Sequence, residues 1–187
     1  MIRQLPGTTI KAEVNSAHDA KVLLDNMFIV DGIVLSQLTA LTGLEPYMVQ
    51  NWVQRRFLTS PVRKLYSKDQ FCRIAAINAL RGVLQIDKIT AILSYVNGVL
   101  DDDSDNILPD SLLYIYFIAA ISEAEEHAAS GVETEECVTR AVYDFKEPFE
   151  GAKERLITSL TAMVNAYYAA EMLRSVDAAV DRILGKQ

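Results

Sequence analysis

The sequence predicts an all-α protein: a helix-turn-helix domain followed by an acidic helical domain that ends in one long helix. Three observations predict it. Apolar residues recur at helical spacing almost throughout, and no segment of any length alternates with the two-residue period of a strand. The 33 residues from Ala152 to Leu184 contain neither Pro nor Gly, enough for a helix of roughly 50 Å at 1.5 Å per residue. Val34 to Leu58 sets two short helices around Thr42-Gly43, and the second has one packed face and one polar face.

Composition bounds the rest. With 187 residues, half of them hydrophobic, the chain can bury a real core and is not a disordered segment. Its longest apolar run, Leu112 to Ile121, has ten residues, too few to span a bilayer. The first fifteen residues lack a secretory pattern. Cys72 and Cys137 sit at core-like helical positions, which argues against disulfide scaffolding. The expectation is a soluble cytoplasmic protein. The net charge of −7 conceals a split. Residues 31–98 hold eight Lys or Arg against four Asp or Glu, +4, whereas residues 99–187 hold seven against eighteen, −11. A local basic cluster is what a polyanion responds to, and Arg55, Arg56, Arg63, Lys64 and Lys68 make it compact.

Taken in order, residues 1–30 read as an irregular or extended arm broken by Pro6-Gly7, then a short helix from Ala17 to Phe28 capped by Ser16. Residues 31–98 read as the helix-turn-helix domain. Leu35, Leu38 and Leu41 supply the inward face of its first helix. Gly43 suits a left-handed turn, Leu44 plugs the gap between helices, and Pro46 fits the first turn of the second helix. Met48, Val49, Trp52 and Val53 form that helix's packed stripe, with Trp52 as anchor. Tyr47, Gln50, Asn51, Gln54 and Arg55 form its polar face.

Thr59 to Tyr66 then reads as a short basic wing. Ser67 and Gln70 have capping-box spacing and open a helix with Phe71, Ile74, Ala75, Ile77 and Leu80 inward, interrupted at Gly82. Asp87 is expected to cap a further helix with Ile89, Ile92, Leu93 and Val96 inward, stopped by Gly98. Residues 99–110 read as an acidic linker, and 111–187 as a helical dimerisation domain. Within it, Pro109 and Asp110 open a helix to His127, a second runs from Glu133 to Phe145, and the long helix follows. The long helix's apolar stripe drifts in register, so a strict heptad seam fails, and its broad apolar face suits packing against helices of the same chain or a second chain.

The order Gly43-Leu44, Trp52-Val53, Phe57-Leu58, Pro61 and a basic residue two before Tyr66, then Ser67-Lys68-Asp69, resembles the MerR-like winged-helix domain. More closely, the chain resembles the bacterial family known as domain of unknown function 1836, over roughly residues 30 to 120. The residues carrying this likeness are Leu35-Ser36-Gln37-Leu38, Thr42-Gly43-Leu44-Glu45-Pro46, Gln50-Asn51-Trp52-Val53, Arg63-Lys64-Leu65-Tyr66-Ser67 and Leu93-Ser94-Tyr95-Val96-Asn97-Gly98. Asp101-Asp102-Asp103-Ser104-Asp105 and Leu112-Leu113-Tyr114 continue it. The resemblance implies a DNA-binding fold and no particular task. Gln50 and Asn51 stand where MerR-like proteins usually carry Arg and Tyr, and the wing is shorter than theirs.

Other constellations are weaker. Asp101, Asp103 and Asp105 match the opening of an EF-hand loop, but its twelfth position is Leu112, where a bidentate Glu is needed. Glu123, Glu126 and His127 share a helical face without a zinc-type partner. Tyr114, Tyr116, Tyr167 and Tyr168 read as core rather than pocket. There is no Gly-rich phosphate loop or nucleophile elbow, so neither an enzyme nor a metal or cofactor site is expected. The leading expectation is a sequence-specific duplex-DNA-binding protein, a transcriptional regulator acting as a homodimer. Gln50, Asn51 and Gln54 would read base edges, Tyr47 would touch backbone or a thymine methyl, and Arg55, Arg63 and Lys64 would pin phosphates. The alternative is a MerR-like adaptor that binds protein and not DNA. No small-molecule effector is identifiable.

Overall fold

The computed structural model describes residues 2–98, 100 and 106–185. Eight α-helices dominate these residues, with four strands of two or three residues in two antiparallel pairs. In chain order they are β1 (Ile2–Gln4), β2 (Lys11–Glu13), α1 (Ala17–Met27), β3 (Ile33–Val34), α2 (Leu35–Thr42), α3 (Pro46–Gln54), β4 (Leu65–Tyr66), α4 (Lys68–Leu80), α5 (Ile86–Asn97), α6 (Asp110–His127), α7 (Thr134–Ala141) and α8 (Ala152–Ile183). The mostly helical class matches the sequence reading. No helix of the described residues is long and apolar enough to cross a membrane.

Helix α4 lies at the centre. Its first turn is closed by a reciprocal cap: Gln70 N donates to Ser67 Oγ at 3.2 Å, and Ser67 N donates to Gln70 Oε1 at 2.9 Å. Phe71, Ile74, Ala75, Ile77 and Leu80 are buried as expected, but so are Cys72, Arg73, Ala76 and Ala79. The helix is therefore covered on nearly every side, by α2, α5, α6 and α8 among others. A helix with no solvent face must satisfy each polar side chain internally. Arg73 does so by donating Nε to Phe57 O at 3.0 Å and pairing with Asp110, 3.2 Å from Nη1. Asn97 Nδ2 donates to the same carboxylate at 3.1 Å. Burial pushes the Asp110 carboxyl above its ordinary range, and the Arg73 charge and hydrogen bond oppose that rise.

Several expectations are corrected. The first residues, read as an irregular or extended arm, are extended and paired as a hairpin, in which Ile2 pairs with Glu13 and Gln4 with Lys11. Leu5 and Val14 are buried, and the Thr8 hydroxyl donates to Leu5 O at 3.0 Å to tighten the turn. Gly7 has φ +68, and a Cβ there would lie 1.9 Å from Ala75 O, so the hairpin tip touches the α4 backbone itself. Ser16 caps α1 as read. Gln85, not Asp87, occupies the N-cap of α5, and α7 ends at Ala141 rather than Phe145. Of the acidic linker, Val99 and 101–105 lie outside the described residues; Ile107 and Leu108 are buried and Asp110 is ion-paired. The apolar core runs unbroken from Leu5 to Ala166, and α6 packs on α1 and α4.

The Arg73–Asp110 pair yields a first prediction. Arg73→Ala leaves a buried carboxylate without its cation and should lower stability by about 3–5 kcal/mol. The double change Arg73→Met with Asp110→Leu should cost much less, because it removes both charges. Urea unfolding of the two variants checks this; equal losses would show that Arg73 acts through packing alone.

Candidate nucleic-acid interface

The α2–α3 pair is shaped by its turn. Gly43 takes φ +68 and its N–H bonds Thr39 O at 2.8 Å, ending α2 in the left-handed conformation that glycine adopts without strain. Val34 has no side-chain acceptor, so only half of a capping box forms at the start of α2, Val34 N donating to Gln37 Oε1 at 3.1 Å. Leu44 is buried between the helices and Pro46 stands in the first turn of α3. Val49 and Trp52 are buried, Trp52 at 6% exposure, and Met48 and Val53 are half-buried. Tyr47, Gln50, Asn51, Gln54 and Arg55 are all exposed, Tyr47 at 68%. Their spacing places them along one face of α3 and its carboxyl end. Arg55 turns back over the Phe57 ring, 4.7 Å from its centroid.

The segment after α3 is fixed from below by α4. The Gln70 amide reaches Thr59 O and Thr59 Oγ1, each at 2.9 Å, while Arg73 holds Phe57 O. Beyond Pro61 the chain reverses within two residues. Val62 N donates to Leu65 O at 3.1 Å and Leu65 N to Val62 O at 2.9 Å. Arg63 and Lys64 form the tip, with φ of 52° and 64°. Leu65 and Tyr66 then pair with Val34 and Ile33, joining this turn to the entry of α2. Turns of this kind favour Asn-Gly, because both central residues must be left-handed. Here two basic side chains take those places.

Among the described residues, only Arg56, Arg63 and Lys64 combine a side chain with positive φ. All three are basic and exposed, and none makes an ion pair with a described residue. By contrast, Lys21 and Lys68 share Asp25, and hydrogen bonds from both hold its carboxyl down at about 2. Behind the hairpin lies a cleft of about 1040 Å³ whose walls include Arg63, Asp31, Asp69, Arg73 and Asn97. The other sequence candidates fall elsewhere. His127 contacts Glu123 O through Nδ1 and Arg140 through Nε2, each at 2.9 Å. Tyr114 is buried and donates to Pro6 O at 2.6 Å. The acidic run Asp101 to Asp105 lies outside the described residues.

A left-handed conformation costs a residue with a Cβ roughly 1–2 kcal/mol, and glycine loses some of that advantage through its freer unfolded state. Lys64→Gly should therefore raise stability by about 0.5–1 kcal/mol in denaturant unfolding. A loss of stability instead would show that the Lys64 side chain has a role in the fold.

The family model described as a domain of unknown function (DUF1836) matches residues 24–117. That span takes in α2, α3, the tight hairpin, α4 and the Arg73–Asp110 pair, and ends within α6. No curated protein and no solved structure matches the chain.

Proposed function

The chain belongs to the DUF1836 family, whose description assigns no activity, and we propose from its surface chemistry that it is a sequence-specific duplex-DNA-binding protein of MerR-like winged-helix type, a transcriptional regulator. The observation that carries this reading is the pair Arg63 and Lys64, exposed at a strained two-residue turn and in no ion pair with a described residue. Strain kept at basic tips is a cost that a phosphate contact can offset. In this reading β3, β4 and the tip form a reduced wing, and α3 lies in the major groove. Gln50, Asn51 and Gln54 then face base edges, where Asn and Gln match adenine N6 and N7. Tyr47 contacts backbone or a thymine methyl, and Arg55, Arg63 and Lys64 set register on phosphates.

The proposal includes a second copy of the chain. Beyond Ala170, α8 leaves its own core, and Met172, Leu173, Val176, Val180, Ile183 and Leu184 are exposed, Ile183 at 81%. Leu173, Val176, Val180 and Ile183 follow the 3-4-3 spacing of a short coiled-coil seam, about three helical turns long. Fully burying such a side chain gains about 1.5–3 kcal/mol. Six of them from each copy, between 44% and 81% exposed, carry on the order of 10–20 kcal/mol, against the roughly 4–15 kcal/mol that association costs.

Two experiments test this. Asn51→Ala should lose about 1–3 kcal/mol on a selected site and little on random duplex, whereas Arg63→Ala should weaken both alike and lower the salt slope by about one. Fluorescence anisotropy on the full chain reads both. If a folded Asn51→Ala keeps full sequence preference, α3 is not the reading helix. If the wild type binds no duplex at low salt, the protein-binding adaptor takes precedence. For assembly, the wild type should sediment as a dimer at micromolar concentration and Val176→Lys with Ile183→Lys as a monomer. A wild-type monomer there, or a dimeric double variant, overturns the seam.

A further inference from the structure

Between the carboxyl end of α3 and the turn joining α4 to α5 lies a shallow depression of about 410 Å³. Buried Trp52 and half-buried Met48, Val83 and Ile86 form its floor, and the exposed Arg55 and Arg81 stand at its edge. No acidic residue is among the described residues that line it, in a chain with 25 Asp and Glu. Both guanidinium groups are oriented by neighbours that leave their charge unpaired. Arg81 Nε donates to Asn78 Oδ1 at 2.6 Å, and Arg55 stacks on the Phe57 ring. Asn78 is itself held, donating Nδ2 to Gly7 O at 2.8 Å and Thr42 O at 2.9 Å. Neither arginine makes an ion pair with a described residue. A guanidinium carries five N–H donors, so each retains a free fork. Two positive charges at one small depression repel until an anion comes between them, and a phosphate suits two such forks.

We propose that Arg55 and Arg81 form a clamp for one phosphate group, a backbone phosphodiester of the bound duplex. This inference rests on the DNA-binding reading. A helix in the major groove has a phosphate strand along each side, and the depression opens at the end of α3. Arg81 carries no mark in the sequence as a contact, because only the folded chain brings it to the same depression as Arg55.

The test uses the full chain and fluorescence anisotropy on a labelled pool of random duplexes across a salt series. Arg81→Gln should weaken binding at low salt and reduce the salt slope by about one. The gap from wild type should then narrow roughly threefold for each fourfold rise in salt. Arg81→Lys keeps the charge and should keep the slope. Lys88→Gln, on α5 but outside the depression, should match wild type. Thermal melts confirm that each variant is folded. If Arg81→Gln binds as wild type while Arg63→Ala loses slope, the clamp is wrong and the DNA reading stands. If wild type binds no duplex, titration with inorganic phosphate, followed through the Arg81 Nε–H resonance, decides. A saturating shift there supports a free-phosphate site, and no shift overturns the clamp.

Discussion

Helix α4 has almost no solvent face, and the rest of the molecule is arranged around that constraint. A buried helix of mixed composition has to place each polar side chain against a partner, since an unpaired buried donor costs about 1–3 kcal/mol. Gln70, Arg73 and Asn78 therefore reach out of the helix, and each clasps a different segment. Gln70 holds Thr59 at the base of the tight hairpin. Arg73 holds the end of the α3 loop at Phe57 and the start of α6 at Asp110. Asn78 holds the amino-terminal hairpin at Gly7 and the end of α2 at Thr42. The apolar side chains of α4 make the core, and Gln70, Arg73 and Asn78 fix where these surface elements stand. The candidate interface inherits its rigidity from this one helix.

That dependence explains which parts of the fold were legible. Local signals read well because local physics sets them: the Ser67–Gln70 cap, Gly43 at the turn, Pro46 in the first turn of α3, and a Pro- and Gly-free α8. The inward faces of α3 and α4 followed from helical spacing, and Trp52 is buried as its position suggested. What failed depends on distant contacts. Pro6-Gly7 reads as a break, and only the approach of Gly7 to Ala75 makes it the tip of a packed hairpin. Asp87 looked like a cap, but Gln85 starts the helix two residues earlier.

Within the candidate site the same division holds. The polar face of α3 was legible as a pattern of exposed side chains, since a 3.6-residue period sorts faces without tertiary knowledge. The turn was legible as short and basic. Its backbone was not, because left-handed pairs are usually signalled by Asn or Gly and here are occupied by Arg63 and Lys64. A sequence that breaks a local rule at one place, with no visible compensation in the fold, draws attention to that place as functional. Arg81 shows a third kind of signal, invisible locally because Arg55, which lines the same depression, belongs to another element.

The continuity of the core bears on how a two-fold assembly would meet DNA. The first half of α8 is packed on α4, α5 and α6, and Arg155 fastens it to α5 by bonding Tyr95 O at 2.8 Å and lying 5.0 Å from the Tyr95 ring. The exposed seam after Ala170 is the uninterrupted continuation of that packed half. A seam joined to the body by unbroken helix and shared core transmits position, whereas a flexible linker transmits only proximity. The separation of two α3 helices in the proposed dimer would then be set by the fold. Half-site spacing on DNA would follow from it, close to the 34–36 Å of one duplex turn or a multiple if both helices engage one face. An adaptor has no such requirement, since a protein partner does not repeat every turn. The continuous helix from the packed half of α8 to its exposed end thus makes that spacing, in the proposed dimer, a consequence of the fold.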